Sequence, residues 1–185
     1  MYRRLIIALF AVILLTASGF AQKQNKNQNQ RTGGKHTFAL GTSEFLLDGE
    51  PLQIIAGEMH PARIPAEYWR HRIQMAKAMG CNTISVYIFW NYHESEEGVF
   101  DFSTGNHNLK EFFRLVQEED MWLIVRPGPY VCVEWELGGI PPYLLRIPDI
   151  KLRCLDSRYM AAAERFIGKL AEEIKPFMVT NGGPL

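Results

Sequence analysis

Trp122-Leu-Ile-Val125 is a short apolar run that opens directly into Arg126-Pro-Gly-Pro-Tyr-Val-Cys-Val-Glu-Trp-Glu-Leu-Gly-Gly-Ile-Pro-Pro-Tyr-Leu-Leu145. The first part has the composition of a buried strand. The second brings an arginine, two carboxylates, a thiol and the rings of Tyr130, Trp135 and Tyr143 into one loop, whose prolines and glycines restrict the backbone. A long loop this rich in rigid turns reads as a positioned site and not as a connector. Carboxylates beside aromatic faces suit a sugar: the carboxylates accept hydrogen bonds from its hydroxyls, and the rings cover its apolar C–H face.

Working outward, the same pattern of an apolar strand followed by polar residues occurs twice upstream, at Ile54-Ile-Ala-Gly-Glu58 and Thr83-Ile-Ser-Val-Tyr-Ile88. Helical periodicity follows each strand. Trp69, Ile73, Ala76 and Gly80 share one helix face after Pro65, a residue suited to a first turn. Leu109, Phe112, Phe113 and Val116 follow Asn108, an N-cap with Glu111 three residues on. Met160, Ala163, Ile167, Leu170 and Ile174 form the third face, stopped by Pro176. Ahead of all this, Asp48-Gly49 between apolar runs predicts a leading β-hairpin.

This order predicts an α/β fold of about three βα units on a parallel sheet. The strands start at Ile54, Thr83 and Trp122, 29 and 39 residues apart, close to the ~31 residues per unit of a (β/α)8 barrel. A doubly wound open sheet is the rival. No G-x-G-x-x-G follows the first strand, and polar residues follow all three strands, as they do where every strand points its C-terminal end at one site. After the third helix, Phe177-Met-Val-Thr-Asn-Gly-Gly-Pro-Leu185 reads as a turn toward a fourth strand, so the expectation is the N-terminal portion of a barrel, cut before strand 4.

Composition narrows the function classes. Of 185 residues, 47% are hydrophobic and 22% charged, and the formal net charge is +0, so no basic field points to nucleic acid. Arg3 and Arg4 precede an apolar run from Leu5 to Leu15, with small residues near Ala21. Residues 1–21 read as a secretory signal peptide, the run being too short to span a bilayer. Residues 22–36, rich in Gln, Asn and Lys, read as a disordered linker, leaving 37–185 as the folded part. Export to the periplasm or the extracellular space follows, with no membrane association after cleavage. Three cysteines, Cys81, Cys132 and Cys154, leave at least one thiol unpaired, and no metal-ligand spacing occurs, so neither a metal nor a cofactor is expected.

Four ordered stretches, Gly57-Glu-Met-His-Pro-Ala-Arg-Ile-Pro-Ala-Glu-Tyr-Trp69, Met79 to Glu94, Gly98-Val-Phe-Asp-Phe102 and Arg126 to Leu145, resemble glycoside hydrolase family 35, the β-galactosidases. The resemblance runs from about Phe45 to Leu185. It implies a (β/α)8 catalytic barrel that removes terminal non-reducing β-galactose with retention, using an acid/base glutamate after strand 4 and a nucleophile after strand 7. Gly182-Gly-Pro-Leu185 matches the opening of the family signature that leads to an Asn-Glu pair. Both catalytic glutamates are therefore expected beyond Leu185, and the chain is expected to be inactive alone. A non-catalytic galactoside-binding remnant or subunit is the alternative; an unrelated α/β binding protein is a third, more remote reading.

Three residues carry the expected substrate contacts. Glu134 resembles the family glutamate that binds galactose hydroxyls; its structural alternative is to pin the Arg126 guanidinium. Cys132 occupies a neighbouring lining position, or is a small buried hydrophobe. Between them stands Val133, where the family often has alanine. Tyr87 resembles the sugar-binding tyrosine at the end of strand 2; its alternative is a core tyrosine. Glu136, Glu94 and His93 are expected to fix loops by bonding buried backbone groups. Arg63 and Arg126 read as pins at the loop end of the sheet. Glu58 and His60 follow strand 1 near the site, and Trp90, Tyr92 and Trp135 either stack on sugar or cap the core. Glu134 and Glu136 do not make a catalytic pair: if extended, both approach the sugar from one side, whereas retaining hydrolysis needs carboxyls ~5–5.5 Å apart across the scissile bond.

Overall fold

The computed structural model of the chain describes residues 34–185. The signal peptide expected over 1–21 and most of the linker lie outside the described residues. His36, at the linker's expected end, is buried; its backbone N–H donates to the Val179 carbonyl at 3.0 Å, and its ring lies edge-on to Trp122.

Strands β1 (Phe38–Leu40), β2 (Phe45–Leu47) and β3 (Glu50–Leu52) form an antiparallel meander. The Asp48-Gly49 turn joins β2 to β3 with both residues at positive φ, 53° and 81°, the geometry of a tight two-residue hairpin. The Asp48 carboxylate also takes His36 Nδ1 at 2.6 Å and the Thr37 N–H at 2.8 Å. Its pKa lies below the usual carboxylate range, chiefly through the hydrogen bond with His36. Strand β1 extends the expected hairpin by a third member. It is short and exposed along its whole length, so it has no apolar alternation to announce it.

The second sheet is parallel, in the order β4 (Ala56–Glu58), β5 (Thr83–Tyr87), β6 (Trp122–Arg126). Register pairs Glu58 with Ser85 and Tyr87 with Arg126. The crossovers run through α1 (Trp69–Ala78) and, beyond a single turn α2 (Trp90–His93), through α3 (Leu109–Glu118). Trp69 of α1 meets Phe112 of α3 edge to face at 5.4 Å. Consecutive crossover helices that touch each other lie on one face of the sheet, and a doubly wound sheet places helices on both faces. Helix α4 (Ser157–Ile174) continues this row, with Lys110 of α3 paired to Glu173 at 2.9 Å. The result is an arc of three βα units of the TIM-barrel type, sheet inside and helices outside. Fully buried Ile84 and Val86 face the helices together with Leu123, in one core cluster with Phe113 of α3, while Ser85, Tyr87 and Ile124 face the other way.

Three expectations need correction. Residues 54–58 were expected to form a buried strand, yet β4 is three residues long with Ala56 and Glu58 exposed, because among the described residues no strand pairs with its outer edge. Gly80 lies beyond α1 at φ 96° and caps it, its N–H reaching the Lys77 carbonyl, so it is not on the packed face. Helix α4 buries Tyr159, Ala162, Ala163, Phe166 and Leu170, leaving Met160 44% exposed. The face is turned because Tyr159 and Phe166 lie against Trp90, at ring distances of 6.1 and 5.3 Å. Two aromatic rings bury more surface than one methionine. The Asn108 cap holds as expected, accepting from the Glu111 N–H at 3.0 Å. The Glu111 carboxylate pairs with Arg114 and does not close the box.

Candidate active site at the strand ends

The C-terminal ends of β4, β5 and β6 place Glu58, Tyr87 and Arg126 side by side. The Arg126 guanidinium lies over the Tyr87 ring at 3.8 Å and reaches Glu58 Oε2 at 3.3 Å. Glu58 Oε1 takes His60 Nε2 at 3.1 Å, and the His60 ring tilts against Tyr87 and Phe89 at 5.6 and 5.4 Å. Burial pushes the His60 pKa down and Arg63 adds to this, against the opposing pull of Glu58; the net shift favours the neutral ring. Arg126 is a pin, as expected, but its partners are Glu58 and Tyr87 and not Glu134.

The loop after β6 is held from beneath. Val131 and Val133 are buried against Phe89, which stacks on Trp135 at 4.0 Å. Val133 thus points away from the open face, and its bulk is absorbed by packing. Cys132 and Glu134, by contrast, are exposed, so the reading of Cys132 as a buried hydrophobe is overturned. Arg63 donates to the Val133 and Glu134 carbonyls at 2.6 and 2.9 Å while lying over Phe89 and Trp135. Trp135 Nε1 donates to Asn91 Oδ1 at 2.8 Å. Trp135 is therefore committed to the loop's support, and Trp90 to the core.

Glu134 itself sits at φ 49°, in the left-handed region. The 134–139 segment is a turn and not an extended strand, so the argument from alternating side chains does not apply to Glu134 and Glu136; the two carboxylates still share one loop. Gly138 is the glycine this turn requires: at φ 61°, a Cβ there would stand 2.2 Å from the Tyr130 ring. The Glu136 carboxylate bonds no other described residue, so its expected loop-fixing role is not seen. The Glu134 carboxylate and the Tyr87 hydroxyl are likewise without a hydrogen-bond partner among the described residues, and both are available to a ligand.

Glu94 and His93 do fix backbone. Glu94 is fully buried and accepts from Trp90 Nε1 at 2.6 Å, the Gly98 N–H at 2.9 Å and Arg165 at 3.2 Å. His93 Nδ1 donates to the Asp101 carbonyl at 2.8 Å, and burial holds its pKa down at about 4. Asp101 in turn accepts from the Thr104 hydroxyl and caps the Ser103 and Thr104 N–H groups; burial opposes its ionisation, but the hydroxyl bond, with the two N–H bonds behind it, prevails and brings the pKa to about 2. Tyr92 stacks on His107 at 3.9 Å.

Asn91, Phe89 and Arg165 escape a reading by motif. Asn91 and Phe89 sit inside the stretch that follows β5, where their neighbours draw attention. Arg165 lies on α4, 71 residues from Glu94, and nothing local links the two.

Among the described residues, no group of three or more His, Cys, Asp or Glu side chains could hold a metal, and no helix is long and apolar enough to cross a membrane. A cavity of about 890 Å³ lies on the outer helical face, where Lys110 pairs with Glu173 and Arg114 with Glu111; none of the strand-end residues lines it.

The chain is 41% identical over 149 residues to a β-galactosidase of Xanthomonas manihotis, with 80% of this chain and 25% of the relative covered. It is 43% identical over 141 residues to the Homo sapiens β-galactosidase, covering 76% and 21%. It is 44% identical over 149 residues to β-galactosidase 8 of Oryza sativa subsp. japonica, covering 80% and 22%. The chain thus spans about a quarter of the length of these relatives. Among solved structures, an exo-β-1,4-mannosidase of an Opitutaceae bacterium shares the fold, with a TM-score of 0.55 and 16% identity over 71% of this chain and 24% of that one. The model of the glycosyl hydrolases family 35 matches residues 44–185, so with three parallel strands ending in Glu58, Tyr87 and Arg126 and a rigid carboxylate-bearing loop beside them, this chain belongs to that family.

Proposed function

We propose that this chain is the N-terminal part of the catalytic barrel of an exported, retaining exo-β-galactosidase. Terminal non-reducing β-galactose is held at the strand ends, with Tyr87, Cys132 and Glu134 as its contacts from this part of the barrel. The acid/base and nucleophile glutamates come from later strands. The observation that carries this reading is the contrast in occupancy at the site. Glu58, Arg63 and Arg126 are all tied to protein partners, whereas the Glu134 carboxylate and the Tyr87 hydroxyl bond no described residue, although Arg63 fixes the Glu134 backbone and Arg126 covers the Tyr87 ring. A loop fixed by Arg63 from below presents Glu134 at little further entropy cost on binding. That its relatives are β-galactosidases supports galactose as the sugar such a pair would meet. The Leu123 N–H on the open edge of β6 donates to the Pro184 carbonyl at 2.8 Å, which is how a fourth parallel strand would begin to pair.

The test is Glu134→Gln in the full-length enzyme. The substitution keeps the shape and removes the charge from a hydrogen bond to a sugar hydroxyl. Such a bond is worth ~1.5–3 kcal/mol, so kcat/KM should fall roughly 10- to 150-fold while the protein folds normally. Efficiency kept within about twofold would make Glu134 a structural residue.

A further inference from the structure

We infer that Glu58 is a positioning residue for the sugar-binding tyrosine, acting through Arg126. The register makes the geometry unusual. Glu58 pairs with Ser85, so β4 lies on one side of β5; Arg126 pairs with Tyr87, so β6 lies on the other. The ion pair between Glu58 Oε2 and Arg126 Nη1 therefore passes over β5, and what it passes over is the Tyr87 ring, with the guanidinium 3.8 Å from the ring centre. His60 occupies a second side of the same ring and is itself bonded to Glu58. Tyr87 is thus strapped by a chain running His60–Glu58–Arg126 across three strands.

The strap leaves the hydroxyl free, and it limits rotation of the ring that carries it. Both partners are nearly half exposed, so the ion pair adds little to stability on its own. Its geometry over the ring fits orientation better than fold stability: an arginine with no carboxylate tether would be free to leave the ring face, losing the cation–π contact.

This inference rests on Tyr87 being a sugar contact, and a double-mutant cycle in the full-length enzyme separates the two. Glu58→Gln keeps the size and an acceptor for His60 but removes the charge that holds Arg126. It should lower kcat/KM about three- to tenfold, the scale of one half-exposed ion pair plus one ring contact, mostly through KM and with an unchanged thermal midpoint. In a Tyr87→Phe background the same change should alter kcat/KM by less than about 1.5-fold, because the hydroxyl being oriented is gone. Fully additive losses would show that Glu58 meets the sugar or the fold independently of Tyr87 and would overturn the inference, as would a Glu58→Gln enzyme of unchanged efficiency. If Tyr87→Phe alone leaves kcat/KM intact, the reading of Tyr87 as a sugar contact fails first, and the strap loses its purpose with it.

Discussion

Release of phenol from an aryl β-galactoside by purified residues 22–185 is expected to stay at background. Retaining hydrolysis needs one carboxylic acid to protonate the leaving oxygen and one carboxylate to attack from the opposite side, ~5–5.5 Å away. The carboxylates at the strand ends do not meet this need. Glu58 is held by His60 and Arg126, Glu94 is fully buried in a structural network, and Glu134 and Glu136 rise from a single loop. Galactose contacts at Tyr87 and Glu134 would bind substrate without lowering the chemical barrier. Full-length enzyme is the positive control. Activity that co-purifies with residues 22–185 and vanishes on Glu134 substitution would contradict the proposal that catalysis resides in later strands.

Residues 22–185 alone are also expected to behave as a molten state. The outer edge of β4 has no strand partner among the described residues, and the outer edge of β6 is met by Pro184. Between the meander and the parallel sheet lies a cleft of about 480 Å³ whose lining includes Phe38, Phe45, Leu47, Trp122, Ile124 and Leu185. Leu40 is 76% exposed and Met79 81%. Open edges and a wet apolar interior favour association and loose packing over a unique fold. The expected signature is strong binding of a hydrophobic dye, weak near-UV dichroism and a broad thermal transition. A soluble monomer with a sharp, cooperative melt and no dye binding would show that three βα units suffice.

The elements most legible in the sequence are those whose signal is local. Asp48-Gly49 specifies its turn through two positive-φ positions, and Asn108 specifies the start of α3 through one side-chain acceptor. The parallel strands β5 and β6 announce themselves as short, nearly continuous apolar runs, the pattern of strands meant to be covered on both faces. What was not legible depends on partners distant in sequence. The orientation of α4 is decided by Trp90, so a face counted from spacing alone favoured Met160 over Tyr159. The exposure of β4 follows from which neighbours flank it, and no property of Ile54–Glu58 encodes that.

The candidate site divides in the same way. Glu134, Cys132 and Tyr87 are singled out by the family resemblance of the stretches that hold them, and the structure leaves Cys132 and Glu134 exposed and Tyr87 partly so. The partners of Arg126 were not legible. A carboxylate eight residues away on the same loop, Glu134, looked the natural choice, and the true partner lies two strands over at Glu58. The rigidity of the loop likewise comes from Arg63, 70 residues upstream of Val133, and from Asn91 beneath Trp135.

The most direct test of the central claim, that the ends of β4 to β6 hold the galactose of a family 35 enzyme, is a crystal structure of the full-length protein soaked with galactose. The expected result is a galactose ring whose hydroxyls lie within hydrogen-bond distance of the Tyr87 hydroxyl and the Glu134 carboxylate, with Arg126 still over the Tyr87 ring and Arg63 still bonded to the Val133 and Glu134 carbonyls. Galactose bound elsewhere, with Tyr87 and Glu134 both left unengaged, would contradict it.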